Sequence, residues 1–201
     1  QFSVPTDWVI ESILPIWSDW DEDGDREILL TLSNSTSGAK LVLYDEAGNA
    51  LAESDPIGIG YRWRHALDIA PFGEKSQMLL ADVETPHIGG IVHFYSWDKE
   101  NKVLKIETSL PGYSTHDIGS RDMQMYILAT DEENEQTLLI LPSQSKTELA
   151  ALRLVSGVIH EEWRLSLGGR LSGNLELIEE NGIRTIRAIV DNNREVLLTL
   201  P

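Results

Sequence analysis

The feature that most constrains the fold of this chain is a succession of short apolar runs. These runs are four to eight residues long and alternate with Gly, Asn, Asp and Pro along the whole sequence. No segment keeps apolar residues at helical spacing over three turns, and the closest approach, at 147–155, is short. Short apolar runs bounded by turn residues are typical of strands. The pattern therefore predicts an all-β chain.

The predicted strands recur in a fixed order. Each unit has an introducing strand, an opening strand and a second strand, and the first three units also have a third strand. The opening strands are predicted at 27–32, 77–82, 138–141 and 185–190. Four strands in a repeat of about 40–60 residues are typical of one blade of a β-propeller. Stacked blades must bury their faces against each other, and the aromatic residues expected between them are Trp17, Trp63, Phe72, Phe94, Trp97 and Trp163.

We expect one β-propeller domain over 1–201, built of about four four-stranded repeats. The repeats are predicted at about 15–70, 71–130, 131–179 and 180–201 plus 1–14. In the last of these, the N-terminal strand would complete the C-terminal blade. The alternative is that the chain forms part of a larger propeller.

An acidic loop leads into the first opening strand. Residues 19–27 read D-W-D-E-D-G-D-R-E and run directly into Ile28-Leu29-Leu30. Oxygen ligands at alternate residues, a glycine for the turn and a closing carboxylate suit a hard cation such as calcium. The predicted ligands are Asp19, Asp21 and Asp23 through their side chains, Asp25 through its backbone carbonyl and Glu27 through both carboxylate oxygens. The sequence thus predicts one calcium site.

Two other interpretations of this loop are disfavoured. It is not an EF-hand, because the twelfth position of the loop is Leu30 where an EF-hand needs a glutamate. A plain solvated turn would carry a high density of like charges, which is costly unless a cation neutralises it. The other units lack a full set of acids, although Glu132 and Asn134 could contribute to a second site.

The composition excludes several classes of function. The chain has 16 basic and 33 acidic residues, a net charge of −17, so its surface repels phosphate backbones and we expect no nucleic-acid partner. No apolar run approaches the roughly 20 residues of a membrane span. The absence of cysteine excludes disulfides, thiolate metal sites and cysteine nucleophiles.

Histidine and arginine supply the remaining candidates. His87 and His93 lack a third ligand at zinc-binding spacing, and His116 lies in a polar loop without a nucleophile motif. Arg62 and Arg64 flank Trp63, where they could line a pocket for an anionic sugar or form ion pairs between blades.

The acidic loop, the repeat length and the stretches at 60–65 and 85–90 resemble the FG-GAP / VCBS repeat family. The resemblance covers most of the chain as repeats, but the calcium-loop motif occurs once. It implies a β-propeller with a calcium ion that rigidifies the loop. It also implies an exported or cell-surface protein, and it implies no single activity.

We therefore expect a non-catalytic, calcium-stabilised module that binds a protein partner or a glycan, either alone or as a subunit of a larger complex. It would be extracellular, at the cell surface or periplasmic, as a mature or trimmed chain that starts at Gln1. A lectin would instead present Trp63, Tyr61 or Trp97 on one rim. A polysaccharide lyase would bring Arg62, Arg64, His65 or His116 together in a central channel, and a structural subunit would turn apolar patches toward other chains.

Overall fold

The regular secondary structure of the chain is almost entirely antiparallel strand. The computed structural model describes residues 4–60, 62–131 and 133–200. Strands account for 54% of the structure and helix for 3%, which confirms the all-β prediction. The helical residues form two single 3-10 turns at Glu74–Ser76 and Asp191–Asn193.

Sixteen strands are present in the described residues. They are β1 Val9–Ile10, β2 Ile16–Ser18, β3 Glu27–Asn34, β4 Gly38–Tyr44, β5 Ala50–Glu53, β6 Arg64–Ala70, β7 Leu79–Glu84, β8 Ile91–Asp98, β9 Val103–Pro111, β10 Ile127–Asp131, β11 Gln136–Pro142, β12 Glu148–Val155, β13 Val158–Ser166, β14 Glu176–Glu180, β15 Ile183–Val190 and β16 Arg194–Thr199.

These strands form four antiparallel groups in chain order. We call them sheets 1 to 4: β1 to β5, β6 to β9, β10 to β13, and β14 to β16. Sequential strands pair with each other in sheets 2, 3 and 4, whereas in sheet 1 both β1 and β2 pair with β3. One parallel pair, Glu53 with Val103, joins the edges of sheets 1 and 2 into a continuous sheet.

Neighbouring sheets are joined by shared apolar cores. Leu43 of sheet 1 and Leu80 of sheet 2 belong to one core. Sheets 2 and 3 share a second core, which contains Phe72 and Phe94 in edge-to-face contact with ring centroids 5.0 Å apart. Sheets 3 and 4 share a third. Burial of apolar side chains between successive sheets drives the packing of each sheet against the next.

The aromatic residues predicted to fill these cores do so in part. Phe72 and Phe94 are fully buried, and Trp97 and Trp163 pack at core margins. The prediction for Trp17 is wrong, because 53% of this side chain is exposed. Trp20, which the sequence reading placed only in the acidic loop, is buried instead and packs in the core between sheets 1 and 2.

The hydrogen-bonded sheets are offset from the repeats at 15–70, 71–130 and 131–179. The strand that ends each of those repeats pairs with the next opening strand: β6 pairs with β7, β10 with β11 and β14 with β15. The second opening strand begins at Leu79, two residues later than predicted.

The composite blade of 180–201 plus 1–14 is not formed by the observed pairings. Strand β1 pairs with β3, so that Val9 lies opposite Ser33. Val4 and Trp8 instead pack on the outer face of sheet 1, against a core that includes Ile28 and Leu30. The N-terminal segment thus covers sheet 1. Across the described residues, no helix is long and apolar enough to cross a bilayer.

Candidate functional site

The acidic loop is the turn of the β2–β3 hairpin. Ser18 pairs with Glu27 at the end of this hairpin, so the loop occupies 19–26 and both of its ends are fixed by the sheet. Two residues with positive φ reverse the chain: Glu22 at 59° and Gly24 at 96°. Glycine adopts this conformation without steric cost, which explains its place in the turn.

The hairpin brings three of the five predicted ligands together. Asp19, Asp21 and Glu27 each offer a carboxylate oxygen, and these oxygens lie within 4.8 Å of one another. The carboxylates of Asp23 and Asp25 lie outside this group and are exposed. An Asp23 oxygen accepts the Asp25 backbone N–H at 2.8 Å. We call Asp19, Asp21 and Glu27 the acidic triad.

Carboxylates also order the loop backbone. The two oxygens of Asp19 accept the N–H groups of Asp23 and Gly24, at 3.0 and 3.1 Å. Glu27 Oε2 accepts the N–H of Trp20 at 2.7 Å. The shape of the loop therefore depends on ionised oxygens, which are the strong acceptors for backbone N–H groups.

Burial and like charges act against the ionised form of Glu27. Only 4% of this residue is exposed. Desolvation raises the pKa of Glu27, and the carboxylates of Asp21, Asp23 and Asp19 raise it further, while the hydrogen bond from Trp20 lowers it. A cation bound beside Glu27 would favour its ionised form and so lower this pKa.

Lys99 supplies part of the missing positive charge. Its ammonium pairs with Asp21 Oδ2 and lies 4.8 Å from the ring centre of Trp97. The other oxygen of that carboxylate, Oδ1, is buried and has no hydrogen-bond partner among the described residues. Sequence reasoning missed Lys99, which is 78 residues from Asp21. Its only sequence signal was its place in the β8–β9 turn.

The triad fits a hard cation by chemistry. Every candidate donor is a carboxylate oxygen, as calcium prefers, and the partnerless Asp21 Oδ1 provides a free ligand atom. Within 4–60, 62–131 and 133–200, the triad is the one group of three acid or histidine side chains close enough to share a metal.

The predicted second acidic site has less support. Glu132 lies outside the described residues. Asp131 pairs with Arg153 at 2.7 Å and accepts the Asn134 side-chain amide at 2.9 Å. These contacts already pair the carboxylate of Asp131 with a cation and an amide, so Asp131 needs no metal.

The two arginines beside Trp63 differ in how far their charge is satisfied. Arg64 is buried, with Nε 2.9 Å from Asp82 Oδ2 and NH1 2.6 Å from Ser54 Oγ. Arg62 donates to the carbonyl oxygen of Ile57 at 2.5 Å. Arg64 thus forms an ion pair, but the pair lies within sheet 2, whereas the predicted ion pairs joined different blades.

Two histidines do converge on Trp63. Its ring lies 5.2 Å from the ring of His65, nearly parallel to it, and 4.5 Å from that of His116. His65 Nδ1 lies 2.8 Å from Thr115 Oγ1. Burial, aided by His116, lowers the pKa of His65 to about 3, and burial also lowers the pKa of His116. Both imidazoles are therefore uncharged at neutral pH.

A cavity of about 310 Å³ lies beside this cluster. It is enclosed by 12–17, by the start of β6 and by 123–126, with Leu29 and Thr31 of β3 also in its wall. Trp63 borders the cavity and is half-buried. Of the other rim aromatics predicted for a lectin, Trp97 is half-buried beside Lys99, and Tyr61 lies outside the described residues.

Comparison with known proteins gives a fold-level likeness only. No protein-family model and no curated protein matches the chain. Among solved structures, the exotype rhamnogalacturonan lyase YesX matches with a TM-score of 0.55 and 15% identity. The match covers 95% of this chain and 42% of the lyase chain, so this chain spans less than half the length of that protein. A protein of unknown function from Bacteroides caccae matches with a TM-score of 0.40 and 14% identity, over 86% of this chain and 56% of that one.

Proposed function

We propose that this chain is a calcium-stabilised section of a β-propeller that serves as a non-catalytic binding or assembly module. The observation that carries the proposal is the acidic triad: three carboxylates within 4.8 Å, with Glu27 buried and one Asp21 oxygen without a partner. FG-GAP / VCBS repeats remain the family that the loop resembles. The four stacked sheets support the propeller, since each is a short antiparallel unit that buries its faces against its neighbours.

Calcium would act on stability through the hairpin. Asp19 and Glu27 flank the two ends of the loop, and Asp21 lies between them, so one cation would hold both strands of the hairpin and the loop. It would also neutralise charges that repel each other in the metal-free protein. A ligand that binds only the folded state adds about 2.7 kcal/mol when its concentration is 100 times its dissociation constant.

A binding role is favoured over catalysis by Arg64. A lyase-like site would need free cations near its substrate, but the Arg64 guanidinium is held by Asp82 and Ser54. The likeness in fold to the lyase, at 15% identity, keeps as the alternative a protein that binds or cleaves a polysaccharide, but it assigns no reaction.

We further propose that the module works outside the cytoplasm, at the cell surface, in the periplasm or in the extracellular space. Three clustered carboxylates in a largely exposed loop fit the weak class of calcium sites found in extracellular modules, with dissociation constants of roughly 10⁻⁴–10⁻³ M. The partner would be a protein or a glycan.

Thermal unfolding with calcium and with a chelator tests the proposal. We expect the melting temperature to rise in millimolar calcium, and to rise much less in magnesium, which binds flexible oxygen sites poorly. A melting temperature that is the same in calcium and in chelator would refute the calcium site.

The solution mass of the chain tests the module: one discrete species supports a self-contained stack of sheets, whereas a polydisperse one indicates sheet faces that need further blades.

A further inference from the structure

The cavity beside Trp63 has the make-up of a small-molecule site. Ligand sites of roughly 300–1,000 Å³ combine apolar and aromatic walls with a few polar groups, and this cavity, at about 310 Å³, lies at the small end of that range. Its walls include the aromatic rings of Trp17, Trp63 and Tyr126. Trp17 is 53% exposed on the short strand β2, an unusual position for so large an apolar side chain.

A polar group in the wall lacks a partner. Thr31 is only 1% exposed, and its hydroxyl makes no hydrogen bond to any residue that the structure describes. A buried hydroxyl without a partner costs about 1–3 kcal/mol, so a ligand that satisfies it gains affinity. Asp68 and Gln124 add a carboxyl and an amide to the same wall. An entirely apolar ligand would leave these groups unmatched.

The charges of the wall exclude an acidic ligand. Arg64 borders the cavity, but Asp82, Ser54 and Tyr95 hold its guanidinium. His65 also borders the cavity, as an uncharged ring bonded to Thr115. No free cation therefore faces a ligand carboxylate from the described part of the wall, and the carboxyl of Asp68 would oppose one.

We infer that this cavity binds a neutral sugar ring, whose apolar face lies against Trp17 and whose hydroxyls bond to Thr31, Gln124 and Asp68. A sugar ring matches both kinds of wall, since it has one apolar face and hydroxyl groups around its edge. Trp17 provides the contact surface, as exposed aromatic residues do at recognition sites. Thr31 fixes the orientation of the ring.

The inference is independent of calcium. None of the three triad carboxylates borders the cavity. A chain that shows no calcium response would refute the proposed function and leave this site standing, and failure to bind sugar would leave the calcium site standing.

Calorimetric titration of the full chain tests the site. The neutral probes are glucose, galactose, mannose and rhamnose, and the charged comparisons are glucuronate, galacturonate and choline. We expect at least one neutral sugar to bind in the millimolar range, which corresponds to about −4 kcal/mol. The uronates and choline should bind more weakly. Failure of every neutral sugar to bind, or tighter binding of a uronate or of choline, would overturn the inference.

Two variants and a control locate the binding. Trp17→Ala should weaken sugar binding about tenfold while the chain still folds, because 53% of the side chain is exposed. Thr31→Val, which removes only the hydroxyl, should weaken it several-fold. Ile118→Ala is the control, since Ile118 is 75% exposed and lies outside the cavity wall. Unchanged affinity in both Trp17→Ala and Thr31→Val would place the sugar elsewhere and contradict the site.

Discussion

The acidic loop at 19–26 and the loop at 71–78 have the same kind of buried anchor, but their backbones are hydrogen-bonded in different ways. Each has eight residues and joins two consecutive paired strands, β2 to β3 in sheet 1 and β6 to β7 in sheet 2. Each buries an aromatic residue at its second position, Trp20 at 5% exposure and Phe72 at 0%. Both aromatics pack in the core next to the following sheet. The anchor is therefore common to the two loops.

The two loops differ in what satisfies their backbones. The loop at 71–78 closes on itself with backbone hydrogen bonds, from Gly73 N–H to the Gln77 carbonyl and from Gln77 N–H to the Glu74 carbonyl. The acidic loop uses the carboxylates of Asp19, Asp23 and Glu27 as acceptors. Its geometry consequently depends on charges that repel one another. Of the two loops, only the acidic loop would therefore be stabilised by a bound cation.

The largest expected effect concerns the shared anchor. Trp20→Ala and Phe72→Ala should each lower the free energy of unfolding by about 3–5 kcal/mol, because each leaves a cavity between two sheets. Urea unfolding measures both, and Trp17→Ala is the control, with a clearly smaller loss because 53% of that side chain is exposed. If Trp20→Ala were as mild as Trp17→Ala, the two loops would not share an anchor.

The next effect separates the loops by their response to calcium. Glu27→Gln should abolish the calcium-dependent rise in stability, about 2.7 kcal/mol at 100 times the dissociation constant, because the amide lacks the closing charge. Glu133→Gln, an exposed acid in the shorter turn between β10 and β11, should keep the full rise. Melting curves in calcium and chelator measure both variants. An equal calcium response in Glu27→Gln and the parent chain would contradict the assignment of Glu27.

A smaller effect should appear in the pH dependence of the metal-free protein. The pKa of Glu27 is raised by burial and by neighbouring carboxylates. Its contribution to stability is therefore fully present below the ordinary pKa of 4.5 and is lost as the pH rises through the folded-state value. Relative to Glu27→Gln, the parent chain should lose stability from pH 4.5 upward toward neutrality.

This comparison needs protein freed of metal by dialysis, since chelators lose affinity in acid. Subtracting the Glu27→Gln curve removes the contributions of other groups, such as Asp82, whose pKa is also raised by burial. Parallel pH curves for the two proteins would show that Glu27 carries no unfavourable charge in the folded state.

The smallest expected effect concerns Lys99. Its ammonium competes with a cation for Asp21, so Lys99→Met should tighten calcium binding by up to about fivefold, the equivalent of about 1 kcal/mol. Lys105→Met is the matched control, because Lys105 forms an exposed pair with Glu107 away from the triad. Weaker calcium binding in Lys99→Met would mean that Lys99 supports the site rather than competing for it.

The sequence predicted strands better than it predicted boundaries between sheets. Apolar runs located nearly every strand, since burial between sheets demands them. Gln77 and Met78 resemble the start of a strand, yet Gln77 closes the loop at 71–78, so β7 begins at Leu79. The pairing of β1 with β3 was not predictable, because pairing depends on contacts between distant segments rather than on local pattern.

Alternating acidic residues along the loop identified the region of the site, but not which three carboxylates come together. Asp19 and Glu27 meet because the hairpin pairs Ser18 with Glu27. The carboxylate of Asp23 is used within the loop, by the Asp25 backbone. The Lys99–Asp21 pair and the cavity beside Trp63 are assembled from segments far apart in the chain. The arginines that flank Trp63 indicated a possible pocket there, but not its other walls.

The most direct test of a calcium-dependent loop is a calcium titration of the metal-free chain by calorimetry. We predict one calcium ion bound per chain, with binding lost in Glu27→Gln and retained in Glu133→Gln. The absence of binding to the parent chain, or unchanged binding in Glu27→Gln, would contradict a calcium site at Asp19, Asp21 and Glu27.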